Sequence, residues 1–188
     1  METVRLSSFV LALALTGPAL HADTTDKTQP SYDLKPQALQ DLQVMQKQFA
    51  DLADAIPAEK FNWRPGDGVR SVGEVFLHVA SANFSLASNF SAAPAPGFTQ
   101  KGYEKSITDK AQIIAQINQS FEYVRAAIEK RSNKELQANV KQFGPDASEG
   151  DVVFLVVTHA HEHLGQAIAY ARVNGIVPPW TAAAQMKK

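Results

Sequence analysis

Apolar residues recur at three- and four-residue intervals in four separate stretches of the chain. The stretches run from Asp33 to about Ile56, from Val72 to about Phe90, from Thr108 or Asp109 to about Lys130, and from Ser148 through Val173. This spacing is typical of amphipathic helices, because residues three and four apart share one face of a helix. The chain shows no convincing strand alternation. We therefore predict an all-α protein with a four-helix bundle fold, in which functional sites lie between facing helices.

Local signals define several ends of these helices. Ser71 and Glu74 have the spacing of a capping box, and Ser148 and Asp151 repeat it at the start of the fourth helix. An Asn-Gly pair followed by two prolines, over residues 174–179, ends the fourth helix and prevents its resumption. The segment before it, residues 131–150, could contain a short helical turn beginning at Ser132.

The first 22 residues have the layout of a secretory signal peptide. Arg5 precedes an apolar run from about Phe9 to Leu15, which is followed by a Gly-Pro break and a small residue, Ala22. The apolar run is too short to anchor the chain in a bilayer. We expect cleavage after Ala22 and a mature helical protein that is periplasmic or secreted, with no stable membrane anchor. The alternative is an uncleaved amphiphilic start.

The predicted organisation is a signal peptide (1–22), a flexible segment (23–32), the bundle domain (33–180) and a C-terminal tail (181–188).

The composition of the chain restricts which partners it can bind and which residue types could hold a metal. The 188 residues include 18 Lys and Arg against 19 Asp and Glu, for a formal net charge of -1. A nucleic-acid partner would require a basic patch, and the sequence shows none. The chain has no cysteine, so any metal must be held by histidines and carboxylates.

Three histidines lie within five residues in the fourth predicted helix, at His159, His161 and His163. In a strand all three would share one face. In a helix, His159 and His163 lie one turn apart, and His161 is rotated about 200° away. Because the segment has helical character, we predict a His159–His163 pair. Such pairs also occur by chance on solvated faces, but the core-type spacing of the neighbouring residues favours an inward-facing pair.

His78 is the third candidate ligand, in the middle of the second predicted helix. A single histidine on an apolar face is more often a core residue with a satisfied hydrogen bond than a ligand. An inward histidine pair on another helix reverses that preference. Two further residues, Gln166 and Tyr170, follow His163 at one-turn intervals and could hydrogen-bond a ligand or a substrate.

Two segments of the chain, "WRPGDGVRSVGEVFLHVASANF" and "THAHEHLGQAIAYARVNGIVPP", resemble the DinB/YfiT-like superfamily. The resemblance covers roughly Leu34 to Trp180 and implies a four-helix bundle with one metal site. Its metal ligands would fall on His78, His159 and His163, whereas His161 has no counterpart among the family ligands. The resemblance also implies hydrolase-like or thiol S-transferase activity. The signal peptide is the main departure, because many relatives are cytoplasmic.

Three neutral imidazoles would leave at least one coordination position open, which is the catalytic rather than the structural arrangement. Nitrogen ligands suit zinc, nickel or iron, and the sequence does not choose among these divalent ions. We assign no catalytic acid or base, because Glu74 is explained by its capping box and Glu162 lies to one side of the histidine pair.

We therefore expect an exported, metal-dependent hydrolase-type enzyme with an unknown small-molecule substrate. Thiol transfer is less expected, because low-molecular-weight thiol cosubstrates belong to the reducing cytoplasm. The alternatives are a non-catalytic metal-binding module and a helical interaction protein whose histidines are ordinary core residues. A homodimer is an open alternative to a monomer.

Overall fold

Helices account for the regular secondary structure of the protein, as a computed structural model shows for residues 33–140 and 146–187. The helices are α1 (Leu34–Ala55), α2 (Val72–Ala87), α3 (Lys110–Glu129), α4 (Glu149–Val173) and the short α5 (Pro179–Gln185). Across these two ranges the only β pairing is one isolated antiparallel bridge between Asn139 and Ser148. The prediction of an all-α bundle is confirmed. The predicted signal peptide (1–22) and the segment 23–32 lie outside the described residues.

The four long helices pack in an order that differs from their order in the chain. α1 packs against α3 and α4, and α2 packs against the same two helices. Consecutive helices α1 and α2 therefore lie diagonally across the bundle, and α2 and α4 are direct neighbours. None of the helices described here is both long enough and apolar enough to cross a membrane.

Phenylalanine rings fill the centre of the bundle. Phe49 of α1 contacts Phe76 of α2 and Phe121 of α3, with ring centroids 5.7 and 5.6 Å apart. Phe61, from the α1–α2 connector, stacks on Phe76 at 6.0 Å. All four rings are at most 1% exposed, so the hydrophobic effect stabilises the diagonal pair α1 and α2 through a shared centre.

The connector between α1 and α2 is fastened to the beginning of α2. The backbone amides of Val72 and Gly73 donate to the carbonyls of Trp63 and Phe61, at 3.0 and 2.9 Å. A Cβ atom at position 73 would lie 3.0 Å from the Ile113 side chain and 3.4 Å from the Phe61 carbonyl. Glycine at this position therefore allows the connector, α2 and α3 to approach closely.

The capping boxes predicted at Ser71 and Ser148 are both present. Each serine hydroxyl accepts from the third amide of its helix, and the acidic side chain at that position accepts from the serine amide. Asp109 caps α3 in a similar way by accepting from the amide of Gln112. The helices that carry the candidate site thus begin at positions set by their own sequence.

Three segments differ from the sequence-based boundaries. α2 ends at Ala87 and continues as a 3-10 turn, Ser88–Phe90, before Ser91 adopts a left-handed conformation. The predicted tail from residue 181 is mostly part of α5, because Pro179 occupies the first helical turn, where its missing N–H costs nothing. The loop between α2 and α3 contains a 3-10 turn, Tyr103–Lys105, that packs against α2.

We predict that the aromatic centre dominates the stability of the bundle. Phe49→Ala should lower the free energy of unfolding by about 3–5 kcal/mol, because it leaves a cavity beside the buried rings of Phe76 and Phe121. Phe154→Ala is the matched control: Phe154 is 63% exposed on α4, so its loss should change stability by about 0.5 kcal/mol or less. Urea unfolding followed by circular dichroism measures both, and similar losses in the two variants would contradict the packing described here.

Candidate metal centre

Three histidines from two neighbouring helices converge at one point. His78 lies in the middle of α2, and His159 and His163 lie one turn apart on α4. The Nε2 atoms of His78 and His159 are 3.1 Å apart, and the three rings provide one nitrogen each within a mutual distance of 4.8 Å. The ring centroids are 4.4 to 4.9 Å apart. The three residues are therefore positioned to bind one metal ion.

The histidines face inward because of where they lie on α4. The buried residues Val156, Ala160, Leu164 and Ala167 place this face of the helix against the core. His163 is 8% exposed, and His78 and His159 are half-buried. An imidazole in such surroundings requires hydrogen-bond partners or a metal for its ring nitrogens.

Glu104 orients the ring of His78. The Nδ1 atom of His78 lies 2.6 Å from Oε1 of Glu104. An ionised carboxylate only accepts hydrogen bonds, so Nδ1 is the donor, and a neutral His78 presents the lone pair of Nε2 to the other histidines. Carboxylate–histidine pairs of this kind are typical of metal sites, where they fix the tautomer and increase the basicity of the ligand.

Arg70 holds Glu104 in place. Its Nε donates to Oε2 at 2.7 Å and its Nη2 donates to Oε1 at 3.1 Å. Partial burial tends to raise the pKa of Glu104, but the hydrogen bonds from Arg70 and His78 outweigh it and hold that pKa below its usual value. Glu104 therefore remains an ionised acceptor for His78 at neutral pH.

Gln166 has the corresponding place beside His163. Its Oε1 lies 2.8 Å from Nδ1 of His163, and its Nε2 donates to the Tyr170 hydroxyl at 3.0 Å. Tyr170 in turn packs edge-to-face on Trp63, with ring centroids 5.4 Å apart. With Nδ1 donating to the amide oxygen, Nε2 of His163 also presents its lone pair to the cluster.

The donor set fits a divalent metal ion. The Nε2 atoms of His78 and His159 lie 3.1 Å apart, so a cation near them could bind both nitrogens at once. In a tetrahedral zinc site with Zn–N bonds of about 2.0–2.1 Å, the ligand nitrogens are about 3.3 Å apart. The spacing of His78 and His159 and the orientation of their rings thus match what one ion requires.

Burial favours the uncharged form of two of the imidazoles, His78 and His159. It lowers the pKa of His159 to about 4, with further contributions from His163, His78 and Arg70. Burial also lowers the pKa of His78, although Glu104 opposes the shift. Since only the neutral imidazole binds a metal, protons do not compete effectively for His78 and His159 near pH 7.

The structure places the other residues considered from the sequence away from the cluster. His161 is exposed, and its Nε2 lies 2.7 Å from Asp41 of α1. Glu74 accepts from the Ser71 amide as its capping box requires, and it also pairs with Arg64. Glu162 is exposed.

Sequence reasoning did not identify Glu104 or Arg70 as site residues. Both lie in irregular segments, Arg70 just before α2 and Glu104 in the short turn Tyr103–Lys105. Helical periodicity carries no information about such positions. The partner of His78 is 26 residues away in the chain, and it is brought into contact by the way the loop folds over α2.

A polar cleft of about 590 Å³ adjoins the cluster. It is lined by residues of the α1–α2 connector, α2, the Tyr103–Lys105 turn and α4, namely Arg64, Gly68, Val69, Arg70, Glu74, Glu104, Lys105 and Gln166. Glu104 and Gln166 contact both the cleft and the histidines. Its volume lies in the range of small-molecule sites.

Comparison with known proteins agrees with the motifs in the sequence. The family model for the DinB superfamily matches residues 41–167. No curated protein sequence matches the chain.

Solved structures share the fold at low sequence identity. A DinB-like protein from Bacillus cereus is 16% identical, with a TM-score of 0.66, over 77% of this chain and 95% of its own. A DinB family member from Exiguobacterium sibiricum is 20% identical, with a TM-score of 0.59, over 78% and 95%. YfiT from Bacillus subtilis is 15% identical, with a TM-score of 0.63, over 79% and 92%; it is described as a probable metal-dependent hydrolase with an unusual four-helix bundle topology.

We predict that Glu104 increases metal affinity through His78. Glu104→Gln should weaken binding of a divalent ion about 10- to 100-fold, because the neutral amide orients His78 less firmly and makes it less basic. Competition with a chromophoric chelator measures the affinity. Glu162→Gln is the control, since Glu162 neighbours the histidine pair in sequence but is exposed. Unchanged affinity in Glu104→Gln would show that the carboxylate serves only the fold.

Proposed function

Because the chain belongs to the DinB superfamily through residues 41–167, we propose that it is a metal-dependent hydrolase-type enzyme that binds one divalent ion through His78, His159 and His163. The observation that carries this proposal is the convergence of three half-buried or buried imidazoles within 4.8 Å. The hydrogen bonds of Glu104 and Gln166 to the outer nitrogens of His78 and His163 support it.

The ligand count supports catalysis rather than a structural role. Structural zinc sites usually have four protein ligands, whereas catalytic sites have three and leave a position for water or substrate. Within the described residues, the cluster able to hold a metal consists of these three histidines alone. When bound there, a divalent ion acts as a Lewis acid and makes water a usable nucleophile near neutral pH.

The residues of the chain prepare the site in three ways. Glu104 and Gln166 fix the tautomers and orientations of two ligands. The low pKa of His159 keeps that imidazole in its neutral form near pH 7. The cleft beside Glu104 and Gln166 is large enough for a small-molecule substrate. We propose zinc, nickel or iron as the ion, since nitrogen ligands suit all three.

A non-catalytic metal-binding module is the second candidate, and one observation favours it. The two carboxylates that line the cleft are already engaged. Glu74 binds Arg64 and the Ser71 amide, and Glu104 binds Arg70 and His78. Neither is a free carboxylate that could serve directly as a general base.

We predict one divalent ion per chain in protein purified without chelators or an affinity column that carries nickel. Elemental analysis should show that His78→Ala, His159→Ala and His163→Ala each lose most of the metal. His161→Ala should retain it, because His161 faces Asp41 on the surface. Equal losses in His161→Ala and His163→Ala would contradict the proposed ligand set.

Hydrolysis assays on the wild type and the same histidine variants distinguish the two candidate functions. A panel of ester, amide and phosphoester substrates should include at least one class that the wild type hydrolyses. That activity should disappear on metal removal and in the three ligand variants, but not in His161→Ala. Full metal occupancy with no turnover on any class would support the non-catalytic module.

We also propose that the protein is exported, which the signal-peptide pattern of residues 1–22 supports. N-terminal sequencing of the protein from its native host should give Asp23 as the first residue. Ala22→Arg is the control, because a large charged residue at the cleavage site should leave the leader attached. Recovery of the wild type with Met1 intact would contradict export.

A further inference from the structure

Positive charge exceeds negative charge in the cleft beside the three histidines. Its lining includes three cationic side chains, Arg64, Arg70 and Lys105, and two carboxylates, Glu74 and Glu104. The cleft therefore has one uncompensated positive charge before any metal ion is counted.

The two arginines are each neutralised by one carboxylate. Arg64 contacts both oxygens of Glu74, at 3.1 and 3.2 Å. Arg70 contacts both oxygens of Glu104, at 2.7 and 3.1 Å. Arg64 is further held by the carbonyl of Val69, to which its Nη1 donates at 2.7 Å. These two ion pairs form the walls of the cleft, and their charges largely cancel.

Lys105 is the cation that remains. It is exposed, and no carboxylate of the described chain lies within ion-pair distance of its ammonium group. It directly follows Glu104 in the turn Tyr103–Lys105. The position of its backbone is therefore tied to the residue that orients His78, and Lys105 lines the same cleft.

We propose that the site acts on a small molecule bearing a carboxylate, whose charge pairs with Lys105 while its reacting group lies at the three histidines. This inference rests on the proposed function, because it names the substrate class of that site. Lys105 carries one positive charge, which the single negative charge of a carboxylate neutralises, so a monoanionic group is sufficient for this pairing. The cleft volume of about 590 Å³ accommodates a small molecule of this kind.

Metal-binding probes that differ only in charge test the pairing. The protein is loaded with cobalt, and the visible spectrum is titrated with the monohydroxamates of succinic and adipic acid. Each is compared with its neutral carboxamide analogue, which has the same length and the same hydroxamate. The two chain lengths cover different separations between Lys105 and the metal, and acetohydroxamate tests the metal position by itself.

The wild type should bind at least one carboxylate probe about fivefold more tightly than its carboxamide, the size expected for an ion pair at an exposed side chain. Lys105→Gln should abolish that preference and leave the affinity for the carboxamide unchanged. Lys105→Arg should retain the preference, and rising salt should reduce it. Lys101→Gln is the matched control, since Lys101 is exposed on the same loop but does not line the cleft.

Failure of this inference is distinguishable from failure of the proposed function. Equal binding of carboxylate and carboxamide by the wild type, at both lengths, would overturn the role of Lys105, as would an undiminished preference in Lys105→Gln. Tighter binding of a phosphonate analogue than of the carboxylate would overturn the monoanionic class. If acetohydroxamate itself leaves the cobalt spectrum unchanged, the open metal position is wrong, and the proposed function fails together with this inference.

Discussion

The contact between α2 and α4 is the interaction on which the candidate site depends. One imidazole comes from α2 and two come from α4, so the distance and rotation of these two helices decide whether the three nitrogens meet. Each helix begins at a capping box, Ser71 with Glu74 and Ser148 with Asp151. The bundle core holds them together, and the connector hydrogen bonds at Val72 and Gly73 hold the beginning of α2 against Phe61 and Trp63. The three histidines are therefore positioned by helices, and Glu104 from the loop between α2 and α3 orients the ring of His78.

Much of the fold and the pairing of His159 with His163 could be predicted from the sequence, because both depend on helical periodicity. The spacing of apolar residues located α1 to α4 to within a few residues. The same periodicity separated His161 from the pair His159 and His163, and the structure shows His161 on the surface beside Asp41. Periodicity alone did not place His78 beside that pair; the family resemblance implied it as the third ligand.

The parts that could not be predicted lie where the backbone is irregular. Glu104 and Arg70 meet across 34 residues of chain, and no local pattern encodes that contact. The turn Tyr103–Lys105 lies in a segment with weak signals for any regular structure. α5 was missed because two consecutive prolines were interpreted as the end of helical structure, although proline is favourable in a first helical turn.

The separation of the histidines along the chain has a consequence for assembly. His78 and His159 are 81 residues apart, and all of α3 lies between them. A nascent chain that has emerged only as far as α3 contains one of the three imidazoles, so the three-histidine cluster cannot yet form. The site is thus a property of the finished bundle rather than of any fragment, and its ligands come together only after the last long helix has been synthesised and docked.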